Sequence, residues 1–242
     1  MKLSLLADNL IPSEIVKIGS QIRELLAKGE KLYNFTVGDF DPSIFPIPQK
    51  LEDAICEAYR IHQTNYPAPE GNADLRESIR QYHLQRQGLS YGPDEILVAT
   101  GGRPLIYSIF QILCDAGDRI IYPVPSWNNN HYVDFVSGTP VIVPTKAADH
   151  FMPTAESLAP HLKGATLLCL CSPQNPTGTL FQKEQLEAIC DLVLEENKRR
   201  GEQEKKLYVM YDQMYWQLTY GEIKHYNPVS LRPEMRDYTI FI

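Results

Sequence analysis

From residue 95 onward, short unbroken apolar runs alternate with longer segments in which apolar residues recur every three or four positions. The runs are "EILVAT", "DRIIYPV", "PVIVPT", "ATLLCLC", "KLYVMYDQ" and "YTIFI". Runs of this length without polar alternation predict strands covered on both faces. Between them, "RPLIYSIFQILC", "WNNNHYVDFVSG" and "QKEQLEAICDLVLEENKRR" carry helical periodicity. Alternation of this kind predicts an α/β fold, a mostly parallel sheet layered between helices. The first 90 residues differ. "SEIVKIGSQIRELLAKG" reads as a helix with Ser13 as N-cap, ending at Gly29, with Ile18, Ile22, Leu25 and Leu26 on one face. "KLYNFTVG" reads as a short strand, and "DFDPSIFPIP" is too proline-rich to be regular. "QKLEDAICEAYRIHQ" and "NADLRESIRQYHLQRQG" predict two amphipathic helices, the second capped by Asn72 and stopped by Gly88, with the stiff loop "TNYPAPEG" between them.

Ligands of such sheets gather at the carboxyl ends of the strands, so the residues there carry the candidate chemistry. "TGGRPLIY" offers two glycines and a proline at the first turn of a helix, a setting whose free amides suit a phosphate. It matches neither a P-loop nor a G-x-G-x-x-G spacing, and alone it is as readily a tight turn. "YPVPSW" places Trp127, one of two tryptophans, where a flat ring can stack on a planar ligand or begin a helix in the core. In "CSPQNPTGTLF", Pro173 and Pro176 restrict the backbone around Gln174 and Asn175, fixing the Asn175 amide in space. In "VMYDQMYWQ", Asp212 ends an otherwise apolar strand, and Tyr215 follows three residues later. A carboxylate there is either a paired buried charge or a helix cap.

Composition narrows the partners. The chain has 242 residues and a net charge of −7. Its only basic concentration, "ENKRRGEQEKK", mixes both signs and reads as a solvated face, which argues against nucleic acid. No apolar run approaches the roughly 18 residues of a membrane span, and "MKLSLLADNL" is too short for a signal peptide, so no membrane partner and a cytoplasmic location are expected. Five scattered cysteines read as buried free thiols, and "CLC" lacks a second pair at zinc spacing, so no metal is expected.

A phosphate nest, a stacking ring, an amide and a carboxylate with a phenol together suit a phosphorylated, planar, cationic heteroaromatic ligand such as pyridoxal 5′-phosphate. "SPQNPTG", "YDQMY", "PSW", "NYPAPEGNADLR" and "FTVGDFDP" then make the resemblance specific. From about residue 10 to its end, the chain resembles the class I/II aminotransferases of the fold-type I pyridoxal phosphate enzymes. The resemblance implies a three-layer large domain over residues 46–242, incomplete at its C-terminal end, after an N-terminal small-domain segment, residues 1–45. It implies that Asp212 pairs with the pyridinium nitrogen and that Asn175 and Tyr215 hydrogen-bond the ring 3′-oxygen. Trp127 covers a ring face, the backbone of Gly102 and Arg103 holds the phosphate, and Gly38 lies beside the substrate carboxylate. Tyr66 reaches the phosphate of a neighbouring subunit, which implies a homodimer with shared sites.

One departure stands out. The family's Schiff-base lysine follows the Asp-x-x-Tyr motif by a few dozen residues, and the only lysine after Asp212 is Lys224, in "GEIKHYNP". The sequence therefore reads as an N-terminal portion, inactive alone. The implied reaction of the intact protein is transfer of an amino group between an L-amino acid and a 2-oxo acid. A carbon–sulfur lyase and a non-catalytic binding homologue share the quoted motifs and stay open at this level.

Overall fold

The computed structural model describes residues 2–9, 14–36, 38 and 40–242. They form two compact units, Met1–Pro67 and Ala68–Ile242. The first holds the helices α1 (Leu5–Asn9), α2 (Glu14–Ala27) and α3 (Gln49–Arg60). Ser13, expected as the cap of α2, lies outside the described residues. The strand expected in "KLYNFTVG" does not form: residues 31–36 run without a ladder. A strand needs a neighbour to satisfy its backbone groups, and the described part of this unit supplies none.

The second unit opens with α4 (Ala73–Gln87), which Gly88 ends in the left-handed region at φ 68°. Asn72 stands at the cap position, but its side chain makes no capping bond. Then follow α5 (Gly102–Leu113), β1 (Arg119–Val124), α6 (Asn129–Phe135), β2 (Thr139–Pro144), α7 (Ala155–Leu158) and β3 (Ala165–Cys171). The unit closes with α8 (Lys183–Arg199), β4 (Tyr208–Asp212), α9 (Pro228–Leu231) and β5 (Thr239–Phe241). The five strands are parallel, in the order β2-β1-β3-β4-β5.

The unbroken apolar runs acquire their reason here. Successive strand residues point to opposite faces, and each face has its own core. Ile121, Leu168, Leu170, Val209 and Tyr211 pack with Leu186, Ile189, Cys190 and Val193 of α8. Ile120, Tyr122, Leu167, Cys169 and Met210 pack with Ile106, Ile109 and Phe110 of α5 and with Tyr132 and Val133 of α6. Because β1, β3 and β4 are covered on both faces, their central positions are almost all apolar, with Thr166 the buried polar exception; the edge strand β2 is largely exposed. All five cysteines are free thiols, and four of them sit in or beside these cores; Cys56, on α3, is exposed rather than buried as expected. Among the described residues, no helix is long and apolar enough to cross a membrane.

Two further expectations change. "EILVAT" is not a strand: after a short 3-10 turn at Pro93–Glu95, residues 96–99 stay irregular. The amide of Val98 donates to the carbonyl of Glu70 (3.0 Å) instead of to a ladder. A cavity of about 550 Å³ lies between this segment and the open edge of β5, lined by Ile96, Leu97, Ile240 and Phe241 among others. The "ENKRR" segment is not simply a solvated face either. Asn197 and Arg200 are buried. The Arg200 guanidinium donates to Glu196 (2.9 Å), to the carbonyl of Lys205 (2.7 Å) and to that of Leu162 (2.9 Å). A charge so fully bonded tolerates burial.

Candidate active site

The strand order reverses between β1 and β3: the chain leaves β1 for β2 on one side and builds β3, β4 and β5 on the other. Loops that follow adjacent strands diverge at such a point and leave a crevice at their carboxyl ends. The crevice is present. It is lined by Pro123 of β1 with Ser126 and Trp127 after that strand, by Cys171 at the end of β3 with Gln174 after it, and by Asp212 at the end of β4. Its enclosed volume is about 20 Å³, room for roughly one water, so a larger ligand lies at its mouth or moves its walls. The larger cavity beside β5 is a different feature, with mostly apolar walls that include residues of α4 such as Ile79 and His83.

Asp212 pairs in register with Cys171 of β3, which places both side chains at the same level of the sheet. Burial raises the Asp212 carboxyl above its ordinary value, and a hydrogen bond from the Met214 amide (3.1 Å) offsets part of that shift. No cationic side chain among the described residues pairs with it. Burial likewise pushes the Cys171 thiol up to about 12, so this sulfur is no nucleophile at neutral pH. Trp127 lies half-buried on the core beneath α5, with the Arg103 guanidinium 5.0 Å above its ring centre. That distance is within cation–π range.

The N-terminus of α5 contributes Gly102 and Arg103. Gly101, before it, takes φ 94°, a conformation that L side chains rarely adopt. The helix is 12 residues long, so its first amides carry a dipole suited to an anion. Asn175 is half-buried in the turn after β3, and its side chain makes no hydrogen bond to the described residues. Tyr215 sits on the turn after Asp212 with its side chain exposed, outside the residues that line the crevice. Gly38 and Tyr66 belong to the first unit, and the Tyr66 ring is fully exposed. Trp127 and Asp212 thus share a crevice; Gly102, Arg103, Asn175 and Tyr215 stand on the loops and helix start at the same strand ends.

Sequence reasoning passed over two groups. Gln174 was treated only as a neighbour of Asn175, yet it is buried and faces the crevice. A polar residue between Pro173 and the Asn-Pro pair was the available signal. His225 stands beside Lys224 in "GEIKHYNP", where no pattern singles it out. Lys224 is exposed, but the His225 ring is half-buried with Nε2 2.9 Å from the Ser172 carbonyl, and burial lowers its pKa to about 4.

Comparison with known proteins bears on this arrangement. The family model for aminotransferase class I and II matches residues 30–241. An aspartate aminotransferase of Geobacillus stearothermophilus is 32% identical over 244 aligned positions, spanning 100% of this chain and 59% of the relative. A solved aspartate aminotransferase of Thermus thermophilus, with maleate, superposes with a TM-score of 0.87 at 30% identity, over 100% of this chain and 59% of that one. An alanine aminotransferase of Pyrococcus furiosus gives 0.82 at 27% identity, over 95% and 56%. The chain therefore spans a little under three-fifths of the length of these relatives. With its parallel sheet, its crevice at the strand reversal and its Asn-Pro and Asp-x-x-Tyr turns, the chain belongs to the class I and II aminotransferases, a family of pyridoxal phosphate-dependent enzymes.

Proposed function

We propose that the crevice binds pyridoxal 5′-phosphate and that the whole protein transfers an amino group between an L-amino acid and a 2-oxo acid. The observation that carries this reading is Asp212: a carboxyl raised by burial, without a cationic partner among the described residues, beside a tryptophan ring. A buried anion is stable only when a cation meets it, and a protonated pyridine nitrogen is such a cation. When bound, the cofactor supplies a carbonyl carbon and an electron sink. The chain's part is to hold it: Asp212 keeps a proton on the ring nitrogen, Trp127 covers a ring face, and Asn175 and Tyr215 serve the ring oxygen. The first amides of α5, at Gly102 and Arg103, take the phosphate. No lysine lines the crevice among the described residues, so binding to this chain is read as non-covalent.

In the first unit, Gly38 is assigned to the substrate carboxylate and Tyr66 to the phosphate of a neighbouring subunit in a homodimer. The full exposure of the Tyr66 ring supports a role outside its own unit. Mixing a Tyr66→Phe whole protein with an Asp212 variant is expected to restore activity through hybrid dimers. No recovery while subunits exchange would assign Tyr66 to its own subunit.

The reading is tested by titrating the chain with pyridoxal phosphate and following tryptophan quenching. Trp127→Ala is expected to raise Kd by about 2- to 13-fold, the weight of a ring stack beyond area burial. An unchanged Kd would remove Trp127 from the site. For the whole protein, the decisive assay is formation of a new amino acid from a supplied 2-oxo acid, against release of ammonia.

A further inference from the structure

We propose that Gln174 is a positioning residue that locks the Trp127 loop to the Asn175 loop, so that the two move as one wall of the site. The proposal rests on the reading of the crevice as the cofactor site. Gln174 is 3% exposed. Its Nε2 donates to the carbonyl of Pro125, two residues before Trp127 and 49 residues away in sequence. Its Oε1 accepts from the amide (3.2 Å) and the hydroxyl (3.0 Å) of Thr177, within its own loop. Its backbone is held as well: the amide donates to Thr179 (2.8 Å), and the carbonyl accepts from Gly178 (2.7 Å).

One side chain thus closes the "SPQNPTG" loop on itself and ties it to the "VPSW" loop. An apolar residue could fill the same space with no polar group to satisfy. A buried amide bonded at both ends, to separate loops, instead fixes their relative position. Asn175 is the next residue along the chain, so any shift of Pro125 and Trp127 is transmitted to it.

The test uses the 242-residue chain in a Trp216→Phe background, which leaves Trp127 as its sole tryptophan. Gln174→Met removes both ties; Gln174→Glu, as a carboxylate, can still accept from Thr177 but has no N–H for Pro125. Both variants are expected to shift Trp127 emission to the red without cofactor. Both are also expected to weaken pyridoxal phosphate binding about tenfold, the effect of one well-made buried hydrogen bond. In a Trp127→Ala background, the loss caused by Gln174→Met is expected to shrink below about threefold, because the two residues then act through one another. Unchanged emission in both variants, or an equal loss of affinity in both backgrounds, would overturn the lock. If Gln174→Met does not fold, Gln174→Glu decides. If the parent chain fails to bind the cofactor, the cofactor reading falls, and the emission shift still decides whether the loops are locked.

Discussion

Asp212→Asn is expected to make the cofactor-free chain more stable while raising the Kd for pyridoxal phosphate more than a hundredfold. Both effects follow from one buried carboxyl. Its pKa in the folded chain stands above the ordinary 3.8 because burial disfavours the charge. A group raised on folding contributes its stability fully below the unfolded value and loses it as pH climbs through the folded value. Above that folded value the ionised Asp212 therefore costs stability, and asparagine, which can still accept from the Met214 amide, does not. The Tm gap between variant and parent should open as pH rises above about 4 and through the raised folded value, reaching a few degrees. Binding runs the other way. Removing one member of a buried ion pair typically costs about 3–5 kcal/mol, more than two powers of ten in Kd. Thermal melts across pH, with a cofactor titration at neutral pH, check both arms. A variant that melts lower at pH 8, or that binds as the parent does, would end the assignment of Asp212 as the partner of a cation.

Asn197→Leu is expected to lower stability by about 3 kcal/mol, or roughly 6–12 °C in Tm for a chain of this size. Asn197 is 2% exposed at the end of the apolar face of α8. Its Nδ2 donates to the Leu207 carbonyl (2.9 Å), and its Oδ1 accepts from the Leu207 amide (2.7 Å). That pair of bonds moors the start of β4 to the helix before it. Leucine has similar size but leaves a buried donor and a buried acceptor unmet, each costing about 1–3 kcal/mol. A loss below 1 kcal/mol in denaturant unfolding would show that water takes over both groups.

The five strands that formed were readable as apolar runs between turn residues, most plainly in "ATLLCLC" and "DRIIYPV". "EILVAT" has the same composition and did not form one. Composition reports that a segment can be covered on both sides, not that a neighbour stands beside it, and here the Val98 amide found Glu70 instead. Arg200 and Asn197 were misjudged for a related reason. In sequence they belong to a charged tail, and only the return of the chain at Leu207 and Leu162 supplies the carbonyls that permit their burial. At the site, Trp127 and Asp212 were visible as chemistry out of place among prolines and apolar residues. Gln174 was not, because its meaning lies in the Pro125 carbonyl 49 residues away.

The two dry faces of the sheet have a consequence for how the strands are aligned. In a sheet with one wet face, sliding a strand by one residue would put polar groups into the core, so the pattern itself fixes the alignment. In β3, a slide would exchange Leu167 and Cys169 for Leu168 and Leu170, apolar for apolar, and Thr166 alone would register the change. The alphabet of the strand is thus nearly silent about its own position. The marks that set it lie at its carboxyl end, where the Ser172 amide meets the Asp212 carbonyl at 2.9 Å and Pro173 and Gln174 begin the turn. The groups that serve the ligand are also the ruler against which β3 and β4 are measured, so an insertion tolerated inside the strand would be read first as a misplaced Asp212.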